Sequence, residues 1–130
     1  MDENQTTPSS NSAAETSTDT LDFESVYANN TLIENSLWDL KIIFGQLEQH
    51  TGRPQVDWHT AVTVPWLQSK ILSYYLRLNI LSHEADNGTI KVPGQVMPPK
   101  PLKPSGEFEN DPKALEFFEM ASKIYSENFD

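Results

Sequence analysis

Residues 56–88 read VDWHTAVTVPWLQSKILSYYLRLNILSHEADNG, and the periodicity of this stretch changes at Pro65. Before the proline, apolar and polar side chains alternate, which is typical of a half-buried strand. After it, the apolar residues recur with a helical period up to Asn87-Gly88, a pair that favours a left-handed helix end. The stretch therefore predicts a strand over residues 56–64 and a long helix over residues 65–87.

The predicted helix is apolar on two opposite sides. With about 100° between successive residues, one side collects a broad set that would cover a sheet. We call this set the first arc: Leu67, Ile71, Tyr74, Tyr75, Leu78, Leu81 and Ala85. The other side carries Leu72, Leu76 and Ile80 and ends near His83, and we call these four residues the second stripe.

The second stripe predicts an interface, because a helix with two apolar sides needs two partners. The partner is either a second copy of the chain or the chain's own C-terminal helix. If the stripe is fully covered, Leu72, Leu76 and Ile80 contribute roughly 1.5–3 kcal/mol each. Their combined burial is expected to support a stable dimer.

Two further strands precede this stretch, over residues 25–34 and 38–45. The second alternates Trp38, Leu40, Ile42 and Phe44 with more polar residues. Three consecutive antiparallel strands form a meander. In the third strand the alternation places five side chains on one face: Val56, Trp58, Thr60, Val62 and Val64. The fold class is therefore α+β, with a three-stranded antiparallel meander packed on one long helix.

The chain divides by composition into four parts. Residues 1–20 are polar and acidic and predict a disordered arm, and residues 21–93 form the folded β-β-β-α domain. Residues 94–109 predict a proline-rich strap. Residues 110–130 predict an amphipathic tail helix with Asp111 as its cap and Pro112 in its first turn. Its apolar face includes the predicted interface residues Leu115, Phe118 and Tyr125, with Phe117, Ala121 and Ile124 beside them.

Composition limits the classes of partner. The chain of 130 residues has 19 acidic and 9 basic side chains and a net charge of −10. Nucleic acids and anionic membranes attract clustered Lys and Arg, so neither is expected as a partner. There is no cysteine, and no secretion signal or membrane-spanning run is visible, so the prediction is a cytoplasmic protein.

A catalytic site is not expected. The three histidines lack the spacing of a metal site, and no phosphate-binding loop or nucleophile motif is present. The alternative is a small enzyme or ligand-binding domain with a site near Asp57 and His59, two residues on one predicted strand face. Local hydrogen bonding is the preferred interpretation of this pair. No cofactor and no small-molecule ligand are predicted.

An ordered set of motifs resembles a known family. The set runs from Tyr27-Ala28-Asn29 through Asp39-Leu40-x-Ile42-x-Phe44 and Pro65 to Asn79-Ile80-x-x-His83-Glu84 and Gly88-x-Ile90. It is similar to the bacterial domain-of-unknown-function family numbered 3467 over residues 26–90, with His83 where an aromatic residue is expected. The acidic arm, the strap and the tail helix are expected to lie outside the matched region. The resemblance implies the strand-to-helix architecture and no activity.

The sequence thus predicts a small non-catalytic interaction or assembly protein. A homodimer that associates through the second stripe is the preferred form. The alternative is an adaptor whose C-terminal helix docks on a larger protein.

Overall fold

The computed structural model describes residues 22–50 and 52–130. The predicted arm at residues 1–20 lies outside this part of the chain. The elements are β1 (Asn30–Asn35), β2 (Asp39–His50), β3 (Arg53–Pro65), α1 (Trp66–Asn87), a short 3₁₀ helix (Gly106–Phe108) and α2 (Pro112–Phe129). The chain divides into two compact units, Met1–Leu72 and Ser73–Asp130.

The first unit contains the sheet. The strand order is β1-β2-β3, and both neighbouring pairs are antiparallel, so the predicted meander and the α+β class are confirmed. The turn between β1 and β2 is held by Ser36, whose hydroxyl accepts hydrogen bonds from the backbone N–H groups of Trp38 and Asp39. The same hydroxyl donates to the Asp39 carboxylate at 2.9 Å. Asp39 therefore stabilises a turn.

The hairpin formed by β2 and β3 is longer than predicted. β2 continues to His50 and β3 begins at Arg53, whereas the predicted strands end at residue 45 and begin at residue 56. Gly52 has a φ of 111°, a conformation that favours glycine, at the short connection between the strands. Pro54 lies inside β3, and an edge strand tolerates it because one side of the strand carries no sheet partner in the described residues. Gly45 and Pro54 were therefore poor indicators of strand ends.

β1 is shorter than predicted, since it begins at Asn30 and not at residue 25. The pairing with β2 ends at Asn29. The backbone N–H of Asn29 donates to the Gly45 carbonyl, and its side-chain oxygen accepts the Leu47 N–H at 2.8 Å. The Asn29 side chain thus accepts the backbone N–H of Leu47 in β2. The backbone of β1 would accept this N–H if β1 were longer.

A β-bulge changes the faces of β3. Phe44 pairs with Thr60, whereas Gly45 pairs with Trp58, so His59 is the extra residue. Successive residues on β2 point to opposite faces, so Trp58 lies on the face opposite Thr60. The prediction that Val56 and Trp58 share a face with Thr60, Val62 and Val64 is therefore wrong. Strict alternation cannot reveal a single inserted residue.

Glycine is required at position 45 because the Trp58 ring leaves no room for a side chain there. A Cβ at this position would lie 2.6 Å from Trp58 Cε3 and 2.8 Å from the Asp57 carbonyl oxygen. We expect Gly45→Ala to destabilise the protein by about 1–3 kcal/mol, because the backbone oxygen leaves little room for relaxation. Thermal and urea unfolding measure the effect. Gly94→Ala is the matched control, since an added Cβ there has no neighbour within 4 Å. Equal stability of the two variants would contradict the close packing at Gly45.

One face of the sheet is apolar across all three strands. Strand register puts six side chains on it, and we call them the sheet face: Ile33, Leu40, Ile42, Phe44, Val62 and Val64. Val64 is 8% exposed and is the only buried large hydrophobic residue among the described residues. The other face is mixed, because Leu32 and Ile43 accompany an exposed ion pair of Lys41 with Glu34 at 3.8 Å.

The second unit contains most of α1, the strap and α2. The Gly88 N–H donates to the Glu84 carbonyl and Gly88 has a φ of 89°, which confirms the predicted helix end. Asp111 caps α2 by accepting the Lys113 N–H at 3.1 Å, as predicted.

Candidate protein interface

The candidate interface begins where β3 passes directly into α1. The strand ends at Pro65 and the helix starts at Trp66, so no loop residue separates them. The Trp66 indole N–H donates to the Ser36 carbonyl at 3.1 Å, which ties the start of the helix to the turn between β1 and β2. A strand that turns its helix back onto the same sheet commonly uses a loop of 2–6 residues. The direct junction agrees with the predicted change from strand to helix at Pro65.

The second stripe is largely open. Leu72 is half-buried, Leu76 is 55% exposed and Ile80 is 42% exposed. His83 is exposed, and its ring Nδ1 and its backbone carbonyl both lie near the Asn87 amide nitrogen, at 3.4 and 3.0 Å. The second stripe therefore forms a continuous strip along one helix. It consists of three aliphatic side chains and ends at His83, which has a local hydrogen bond with Asn87.

The first arc is also open at the start of the helix. In the first unit, Leu67 is 76% exposed and Ile71 is 41% exposed. In the second unit, the two tyrosines and two leucines of the arc are exposed as well. The rings of Tyr74 and Tyr75 contact each other edge to face with centroids 5.3 Å apart. No residue of α1 is buried.

The tail helix is partly covered within the second unit. Its predicted interface residues Leu115, Phe118 and Tyr125 are half-buried, and the Tyr125 hydroxyl donates to the Pro98 carbonyl of the strap at 3.0 Å. At the C-terminal end, the Arg77 guanidinium donates to the Asn128 side-chain oxygen at 3.2 Å. Tyr125 therefore has its hydrogen-bond partner in the strap, whereas Ile80 of the second stripe lines a cleft together with Asn128 and Phe129 of α2.

A different side of α2 remains exposed. Phe117, Met120 and Ile124 lie there at a spacing of three and then four residues. The prediction of one broad apolar face is therefore only partly right, because the helix carries a half-buried side and an exposed apolar side. Phe117 and Ile124 were assigned to the wrong side, and Met120 was missed.

The cleft beside His59, one residue of the alternative site, does not include Asp57. The His59 ring Nε2 lies 3.0 Å from the Tyr27 carbonyl, and its Nδ1 lies 2.7 Å from the Thr60 hydroxyl. The shallow cleft beside His59 has a volume of about 320 Å³, and Asp57 is not among the residues that line it. Both imidazole nitrogens therefore have structural partners, as the preferred interpretation of this pair expects.

The three tryptophans, Trp38, Trp58 and Trp66, are all exposed. Within the described residues, no cluster of His, Asp or Glu has the composition to hold a metal ion. None of the helices in the same part of the chain is long and apolar enough to span a membrane.

The comparisons with known proteins identify a family. Curated proteins and solved structures gave no match to this chain. A family model described as Protein of unknown function (DUF3467) matches residues 1–92. The match starts at the first residue, so the expectation that the acidic arm lies outside the family region is wrong, whereas the strap beyond residue 92 and the tail helix do lie outside it. Since the matched residues form more than half of the chain, the protein belongs to the DUF3467 family.

Proposed function

We propose that this protein is a non-catalytic assembly protein that works as a homodimer through α1. The observation that supports the proposal is that α1 is apolar on two sides and has no buried residue. A helix of this composition gains most of its stability from packing of its apolar surface. A second copy of the chain supplies an equally apolar surface without any other protein. Two-fold symmetry is the commonest arrangement of homo-oligomers.

The second stripe alone gives a weak dimer. Fully burying a leucine or isoleucine is worth roughly 1.5–3 kcal/mol, but Leu76 and Ile80 are already about half covered. Counted on both copies, the stripe supplies on the order of 5 kcal/mol, close to the lower limit of the association cost of about 4–15 kcal/mol. Additional apolar surface is needed, and the first arc provides it.

The proposal includes neither catalysis nor a cofactor, and it places the protein in the cytoplasm. It also includes no nucleic-acid or membrane partner. The acidic composition supports the exclusion of nucleic acids and anionic membranes, because a net charge of −10 repels polyanions.

Light scattering coupled to size exclusion tests the homodimer. We expect twice the chain mass of 14.7 kDa at micromolar concentration. Dilution should move the mass toward one chain, as association equilibria require. A mass of one chain at every concentration would refute the homodimer.

The second candidate function is an adaptor that docks its tail helix on a larger protein. The exposed side of α2 supports it, because Phe117, Met120 and Ile124 have the spacing with which a helix binds a groove. Deleting residues 107–130 separates the two roles. If α2 belongs to the fold, the melting temperature falls because the half-buried side of α2 is lost. An unchanged melting temperature would favour the adaptor.

A further inference from the structure

Two apolar surfaces of this chain are incomplete and complement each other. The sheet face spans three strands, yet Ile33 is 61% exposed and Val62 is 44% exposed. The first arc of α1 is exposed from Leu67 to Leu81. An apolar sheet face and an apolar helix face are normally the two layers of one hydrophobic core. Here both layers are only partly covered within the first unit. Val64 is buried and Leu40, Ile42 and Phe44 are half-buried, whereas the rest of the sheet face and the arc residues Leu67 and Ile71 are exposed.

The direct junction between β3 and α1 disfavours pairing of these layers within one chain. A helix that begins at Trp66, the residue after the strand ends, has no loop in which to reverse direction. The Trp66 hydrogen bond to Ser36 further fixes the start of the helix. At that start, Leu67 is already more exposed than any other large hydrophobic residue of the first arc.

We propose that the first arc of α1 packs on the sheet face of a second copy, and that the second copy's α1 packs reciprocally on this chain's sheet. The inference deepens the proposed homodimer and rests on it. Each core would then consist of one copy's sheet and the other copy's helix. The second stripe, on the opposite side of α1, is left available for contact between the two helices.

The size of the surfaces supports a second copy as the occupant. Tyr74 and Tyr75 are more than half exposed, and an aromatic side chain buries roughly 150–250 Å². The leucine and isoleucine residues of the arc and the residues of the sheet face add to this area. Since every copy contributes both an arc and a sheet face, the total can reach the roughly 800 Å² per partner of a stable complex. A foreign helix on the sheet face would leave the arc uncovered.

The absence of native cysteine permits a direct cross-linking test. One copy carries Val62→Cys on the sheet face, and a differently tagged copy carries Leu78→Cys in the first arc. The two are co-expressed and treated with a short bismaleimide. We expect a covalent heterodimer, several-fold more abundant than with the matched control. The control replaces the first variant by Thr63→Cys, which lies next to Val62 on the opposite face of the sheet. A second pair, Ile33→Cys with Leu81→Cys, guards against a folding defect in the first.

The outcomes separate this inference from the proposed homodimer. Heterodimer formation in both face-to-arc pairs, but not in the control, supports the reciprocal arrangement. A dimeric mass with no cross-link above the control overturns it and leaves the homodimer standing. An internal cross-link in a single chain that carries both Val62→Cys and Leu78→Cys also overturns it, because the helix then covers its own sheet. A monomeric mass for the native chain removes the homodimer itself.

Discussion

Leu76→Asp should lower the mass in solution from two chains to one, while the far-ultraviolet circular dichroism retains its strand and helix signals. Leu76 lies in the middle of the second stripe and is 55% exposed in the single chain. The substitution removes apolar surface that the dimer would cover, and it places a carboxylate there that must lose water on association. Two-fold symmetry applies both effects twice.

The expected change in affinity is large. Desolvation of an unpaired carboxylate costs several kcal/mol, and each 1.4 kcal/mol changes the dissociation constant about tenfold. We therefore expect the dissociation constant to rise by at least about a thousandfold, measured by light scattering over a concentration series. Gln68→Asp is the control, because it adds the same charge on a polar side of the same helix. An unchanged mass for Leu76→Asp would mean that the second stripe is not the interface.

Val64→Asp should unfold the sheet. Val64 is the most buried large hydrophobic residue among the described residues, at 8% exposed, and it pairs with Leu40 on the sheet face. Burying an unpaired carboxylate there adds several kcal/mol to the lost apolar burial of roughly 1.5–3 kcal/mol. Since small domains are stable by about 5–15 kcal/mol, most of the folded population should be lost.

The matched variant for this prediction is Thr63→Asp. Thr63 is the preceding residue, is exposed and pairs with Lys41 on the other face of the sheet. An aspartate there remains hydrated and lies opposite a positive charge, so the melting temperature should change little. Circular dichroism melts measure both variants. Comparable melting of the two variants would show that the sheet face does not form the core of the first unit.

The sequence predicts the order of elements well because the strongest local signals are unambiguous. Pro65 marks the change from strand to helix to within one residue, and Asp111 and Gly88 act as the predicted helix cap and helix end. These signals depend on neighbouring residues along the chain. The errors arise where distant residues decide, as with the Asn29 side chain that ends β1 and the bulge at His59 that turns Trp58 to the other face.

The candidate interface shows the same difference between features that depend on neighbouring residues and features that depend on distant ones. Helical spacing alone identifies the second stripe and the first arc, because both depend only on the period of one element. Which surface covers the first arc depends on the direction in which α1 leaves β3, and the period of neither element encodes that direction. A difference of one or two residues at that junction decides whether a helix can turn back. The tail helix illustrates the point again, because Tyr125 finds its partner in the strap at Pro98 and not on the second stripe.

Contact between the α1 helices of two copies is measured most directly by isotope-filtered NMR. A sample is prepared from equal amounts of uniformly labelled and unlabelled chains that were unfolded and refolded together. We expect intermolecular nuclear Overhauser effects from the methyl groups of Leu76 and Ile80 to the unlabelled copy. If these methyl groups show contacts only within their own chain or to water, a second copy does not cover α1.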